Sequence, residues 1–307
     1  MKKALKKLSP WNNSEDMPTA VYVIKKLLAF LMIYWIAAIM GESMIIGLLY
    51  VMGYDPLHGV MPTGKTGVLL PYYGFMIFLL VTIVYYIFIE KRDLKSLGYS
   101  QRVTDYFLGG AIAVFLLGII ISLCCITNAM SWVGVKEDID IIYFLGLWIG
   151  FMIQSAAEET MCRGFLLQAL RKRTATPIAI FVSTTAFALP HFPTLWEGEI
   201  KYAVIGIINL YLISIIFSLL VLFRLNLWIA CGLHSIWNFI LYGVMGLSLS
   251  GSEINSDGII KLETNAENII NGGIYGIESS IITTVILGIV SILFMKHWRD
   301  RRCRHGI

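Results

Sequence analysis

Eight stretches of this 307-residue sequence are apolar and nearly uncharged over lengths comparable to a bilayer's hydrocarbon core. They are Leu27–Met52, Val68–Ile89, Phe107–Thr127, Ile141–Leu170, Pro177–Leu189, Val204–Phe223, Leu227–Gly246 and Ile281–Met295. About 20 helical residues cross the roughly 30 Å of hydrocarbon, so the fifth and eighth runs are expected to extend or tilt. The first run exceeds the ~7–15-residue apolar core of a cleaved signal peptide and reads as a retained span. With 57% apolar and 14% charged residues, the chain is neither a soluble domain nor disordered. Five cysteines, an odd number, exclude a disulfide scaffold. Cys124, Cys125, Cys162 and Cys231 lie in apolar runs and only Cys303 is expected to be exposed. The expected fold is all-α: a polytopic transmembrane helix bundle of about eight spans, with one long polar loop near 247–273 and no internal repeat.

The cationic residues alternate between loops. Lys2, Lys3, Lys6, Lys7, Lys25 and Lys26 precede the first run; Lys91, Arg92, Lys95 and Arg102 follow the second; Arg171, Lys172 and Arg173 follow the fourth. Arg224 follows the sixth, and Lys296, Arg299, Arg301, Arg302 and Arg304 follow the last. The intervening loops hold one lysine each: Lys65, Lys136, Lys201 and Lys261. Such a bias places both termini in the cytoplasm. The basic clusters read as topology signals facing a lipid bilayer, with no nucleic-acid partner. Basic loops and an Ile- and Lys-rich composition suggest a bacterial cytoplasmic membrane.

An ionisable group inside a span is costly, and is a functional candidate by default. The fourth run contains Glu158, Glu159 and Arg163, His191 lies at the outer end of the fifth just past Leu189, and the seventh contains His234 and Asn238. Glu159 and Arg163 are i and i+4 with the acid first, the favourable order for an intrahelical ion pair. Glu158 is turned about 100° from Glu159, with Gln154 one turn before it on the same face. His234 and Asn238 share one face of their helix, as do Phe187 and His191, although Pro190 is expected to end or kink that helix. Counted from the basic ends, Glu158, His234 and His191 lie roughly 20, 15 and 22 Å deep. They are expected to share one layer and one cavity open toward the basic face.

A carboxylate taken out of water is brought toward the pKa that general acid–base work needs. Imidazole shares such proton work or ligates a metal, and imidazole and amide groups stabilise an oxyanion. No serine or cysteine stands in an activated context of the nucleophile-elbow type. Attack of an activated water on an amide carbonyl is the chemistry these groups suit.

The residues resemble the CAAX prenyl protease and bacteriocin-processing (CPBP, or Abi) family of intramembrane proteases. Its motifs occur in order as Glu158-Glu159-Thr-Met-Cys-Arg163, Phe187-Ala-Leu-Pro-His191 and His234-Ser-Ile-Trp-Asn238, and the likeness covers roughly 140–246. The resemblance implies a peptidase in which Glu158 and His191 activate water, His234 and Asn238 stabilise the oxyanion, and Glu159 and Arg163 give support. It implies a peptide or lipidated-peptide substrate, and leaves open a divalent metal such as zinc on Glu158, His191 and His234. It divides the chain into a basic tail (1–26), peripheral spans (27–139), a catalytic core (140–246) and an outer loop with a last span and basic tail (247–307).

Plainer roles compete for these residues. Glu159 with Arg163 suits a packing ion pair, and Asn238 suits interhelical hydrogen bonding. Glu42 in the first run is read as interfacial and outside the site; Trp228 and Trp298 read as interfacial anchors. Two other functions suit the same residues: a non-catalytic immunity or scaffold member of the family, and a proton-coupled transporter. The absence of paired Gly- or Pro-interrupted segments in two matching halves speaks against the transporter.

Overall fold

The computed structural model describes residues 17–196, 199–251, 255 and 257–305. Among them are eight helices of more than ten residues: α1 (Thr19–Val51), α2 (Gly64–Val84), α3 (Thr104–Ile126), α4 (Ile141–Glu159), α5 (Thr176–Ala188), α6 (Ile200–Arg224), α7 (Trp228–Asn238) and α8 (Ile281–His305). Several run on through tighter or wider turns. α2 continues as a π-helical turn at Tyr85–Ile89, and α4 as a π-helix at Thr160–Leu167 followed by Gln168–Arg171. α5 passes through a 3₁₀ turn at Leu189–His191 into the short helix Phe192–Trp196, and α7 continues as a π-helix at Phe239–Val244.

Seven of these runs are long and apolar enough to cross a membrane. The fifth and eighth expected spans do extend, to Thr176–Leu195 and Gly273–Asp300. The seventh differs from expectation: Trp228–Val244 is a shorter apolar helix. Its ends are cut by left-handed backbone at Leu225 (φ 49°) and Gly246 (φ 62°). Nearly all of α7 is buried by neighbouring helices, so protein rather than lipid is its solvent. Pro190 sits where α5 tightens into the 3₁₀ turn, as its missing N–H requires.

The loops hold a feature that the apolar pattern does not show. β1 (Met130–Val135) pairs antiparallel with β2 (Ile260–Thr264), with a register shift between Trp132 and Gly134. Part of the stretch expected as a polar loop near 247–273 is therefore a strand, and Gly273–Ser279 forms a 3₁₀ turn leading into α8. Residues 252–254 and 256 of that loop, like 1–16 of the basic tail, lie outside the described residues.

The chain forms two units, interleaved in sequence. The first comprises residues up to Ser100 together with Ile149–Ser183; the second comprises Gln101–Trp148 and Thr184 onward. In the first, α1 packs on α2, where a Cβ on Gly41 would lie 3.3 Å from the Gly74 carbonyl oxygen. Lys25 and Lys26, counted above with the basic tail, lie inside α1 and are buried. Lys26 Nζ is 2.5 Å from Glu90 Oε1, which also accepts from Tyr85 Oη at 3.0 Å. In the second unit α3 and α7 pack along their length. Small residues permit this: a Cβ on Gly232 would lie 1.9 Å from the Tyr106 carbonyl oxygen, and one on Gly109 would lie 2.1 Å from that of Ile229. Tyr106 Oη and Ser235 Oγ share a hydrogen bond of 2.8 Å across the same contact. The turn between α6 and α7 is tied to α3 by Asp105, which accepts from Arg224 Nη2 at 2.6 Å and from Asn226 Nδ2 at 2.7 Å.

Candidate active site

The two adjacent glutamates have different surroundings. Glu159 is fully buried, and Arg163 Nη1 donates to its Oε1 at 2.8 Å; Arg163 is fully buried too. The ion pair expected from the i, i+4 spacing is thus present and sealed. Glu158 is only partly buried, and Gln154 Nε2 donates to its Oε1 at 3.4 Å. The local fold fixes this arrangement. The α4 ladder widens to a π-helix directly after Glu159. Thr160 there shares a 2.8 Å hydrogen bond with Tyr99, and Ser183 Oγ donates to the Cys162 carbonyl at 2.8 Å. α7 likewise widens to a π-helix directly after Asn238. Such interruptions of the α-ladder are frequent at functional sites.

The imidazoles belong to the second unit. His191, partly buried, ends the 3₁₀ turn after α5; His234 and Asn238, each 6% exposed, lie one turn apart on α7. Phe187 is what joins them. Its ring centroid is 5.5 Å from that of His191 and 5.7 Å from that of His234. Phe217 of α6 stacks on His234 at 5.2 Å and 20°, and meets Phe187 edge-on at 6.1 Å. Stacking engages the imidazole face, so the in-plane nitrogens are the atoms left for proton and hydrogen-bond work.

Within the second unit the space beside His191 lies at the ends of α6 and α8 remote from Arg224 and Arg299. Its walls include Gly206 and Asn209 early in α6, and Glu278 and Thr283 at the start of the last span. Glu278, Asn209 and Trp237 were not legible as members of this neighbourhood. Glu278 precedes the eighth apolar run, and Asn209 is a lone amide in the sixth. That amide was the available signal.

Among the described residues no group of three or more His, Cys, Asp or Glu side chains is gathered so that it could hold a metal ion. The cysteines Cys124, Cys162 and Cys231 are buried free thiols.

A helical membrane protein with a sealed Glu–Arg pair beside a second carboxylate, and with two imidazoles on one phenylalanine, has the parts of a membrane-embedded hydrolase. Residues 140–240 match the family model described as Rce1-like, type II CAAX prenyl endopeptidase. The match covers the segment that carries the three motifs, and the family it is similar to implies a peptidase acting on peptide substrates at the membrane. No curated protein matches the chain.

Proposed function

We propose that the protein is an intramembrane endopeptidase that hydrolyses a peptide bond with water activated by Glu158 and His191. One of these groups takes the proton as the water oxygen attacks the carbonyl carbon. His234 and Asn238 donate to the oxyanion, which collapses with cleavage of the C–N bond as the leaving amine is protonated. The Glu159–Arg163 pair holds the π-helical turn that presents Glu158. The observation that supports this reading best is the meeting of two sequence motifs at Phe187, which seats His191 and His234 on one ring. The reading also includes a bacterial cytoplasmic membrane with both termini inside, as the cationic loops indicate.

The test is cleavage of unmodified and prenylated peptides by the purified protein, with and without a chelator, beside His234→Ala. The reading expects chelator-resistant cleavage that His234→Ala lowers by about 10²-fold or more. Loss of cleavage on chelation, restored by zinc, would instead assign Glu158, His191 and His234 to a metal. Undiminished cleavage by His234→Ala would remove that histidine from the mechanism.

A further inference from the structure

Beside His191 the second unit has a partly open cavity of about 50 Å³, and three of its polar groups are hydrogen-bond acceptors with capacity to spare. Glu278 accepts from the Ser250 N–H at 2.7 Å, from Ser250 Oγ at 3.4 Å and from Trp237 Nε1 at 3.3 Å. A carboxylate has about four acceptor positions, and no lysine or arginine among the described residues pairs with this one. Asn209 Nδ2 donates to the carbonyls of Glu278 and Ser280 at 2.8 and 3.0 Å, which fixes the amide's orientation. Its Oδ1 is then buried with no hydrogen-bond partner, and so is Ser279 Oγ. Buried acceptors without donors are rare enough to require an explanation, and a ligand that brings the donors is one. The remaining wall is apolar, formed by Leu210, Ile213 and Leu287.

We infer that this cavity is a subsite for a lysine side chain of the peptide substrate. Its ammonium offers three donors and a positive charge to Glu278, Asn209 Oδ1 and Ser279 Oγ, while the methylene stem lies along the apolar wall. A peptide amino terminus carries the same donors without that stem. An arginine's planar five-donor fork matches the confined acceptors less well. The assignment of a side chain near the scissile bond rests on the reading of His191 as a reacting group; the affinity for an ammonium does not.

The test is a ligand-observed NMR titration of the full chain, purified in an uncharged detergent. The probes are n-butylammonium, which is the lysine side chain itself, methylammonium, n-propylguanidinium and n-butanol. Butylammonium is expected to bind at least tenfold more tightly than the other three, and Glu278→Gln to bring it within twofold of butanol. Equal binding of butylammonium and butanol to the wild-type protein, or an ammonium preference that survives Glu278→Gln, would overturn the inference. If that variant does not fold, the wild-type ratios decide. The titration needs no turnover, so ammonium binding without cleavage would count against the peptidase reading alone, and cleavage without ammonium binding against the subsite alone.

Discussion

Arg163 Nη1 donates to Glu159 Oε1 at 2.8 Å, and neither side chain has any exposure to solvent. Removing one partner leaves the other charge buried and uncompensated. Glu159→Ala and Arg163→Ala are each expected to cost about 3–5 kcal/mol, measured by denaturation in detergent. The double variant should lose clearly less than the sum. Additive losses would mean that the two groups do not stabilise one another.

The crossing of α3 and α7 gives a second expectation. A Cβ on Gly232 would meet the Tyr106 carbonyl oxygen at 1.9 Å, and backbone cannot swing aside as a flexible side chain does. Gly232→Ala should therefore cost about 1–3 kcal/mol and lower turnover by displacing His234, two residues on. Gly118→Ala, on α3 with nothing within 4 Å of its added Cβ, should be neutral or slightly stabilising. A fully active, fully stable Gly232→Ala protein would contradict the packing.

Phe217 stacks on His234 at 5.2 Å, so it is expected to set the imidazole's orientation. Phe217→Leu preserves apolar bulk and loses the flat face. Turnover should fall by about 10- to 100-fold with a smaller change in KM, as a misplaced catalytic group produces. An unchanged kcat would assign Phe217 to packing alone.

The fifth span permits a direct test of orientation. Lys172 precedes it and Glu199 follows it, and both are exposed. In a protein lacking its native cysteines, Lys172→Cys should react with a membrane-impermeant thiol reagent only in inside-out vesicles, and Glu199→Cys only in intact cells. The reverse pattern would invert the proposed topology.

The spans were legible because lipid imposes one rule along the whole chain, and the polar exceptions stood out against it. Glu159 and Arg163 were readable as a pair because helical spacing alone brings them together. Other features depend on contacts distant in sequence. Met130–Val135 and Ile260–Thr264 are short segments whose pairing joins two loops, with no apolar run to announce it. The position of Lys26 depended on Glu90, 64 residues away. Glu278 lies outside every apolar run and reaches Trp237 only through the turn that begins at Gly273. The π-helical turns after Glu159 and Asn238 have no compositional signature, since the same residues suit an α-helix.

The central claim, that Glu158 activates the attacking water, is tested most directly by the turnover of Glu158→Gln in proteoliposomes on a peptide that the wild-type protein cleaves. Glutamine keeps the size of the side chain and one oxygen that can accept from Gln154, but it cannot take a proton. The account expects a folded, inserted protein whose kcat is lower by about 10²- to 10⁴-fold. Wild-type turnover by Glu158→Gln would contradict it.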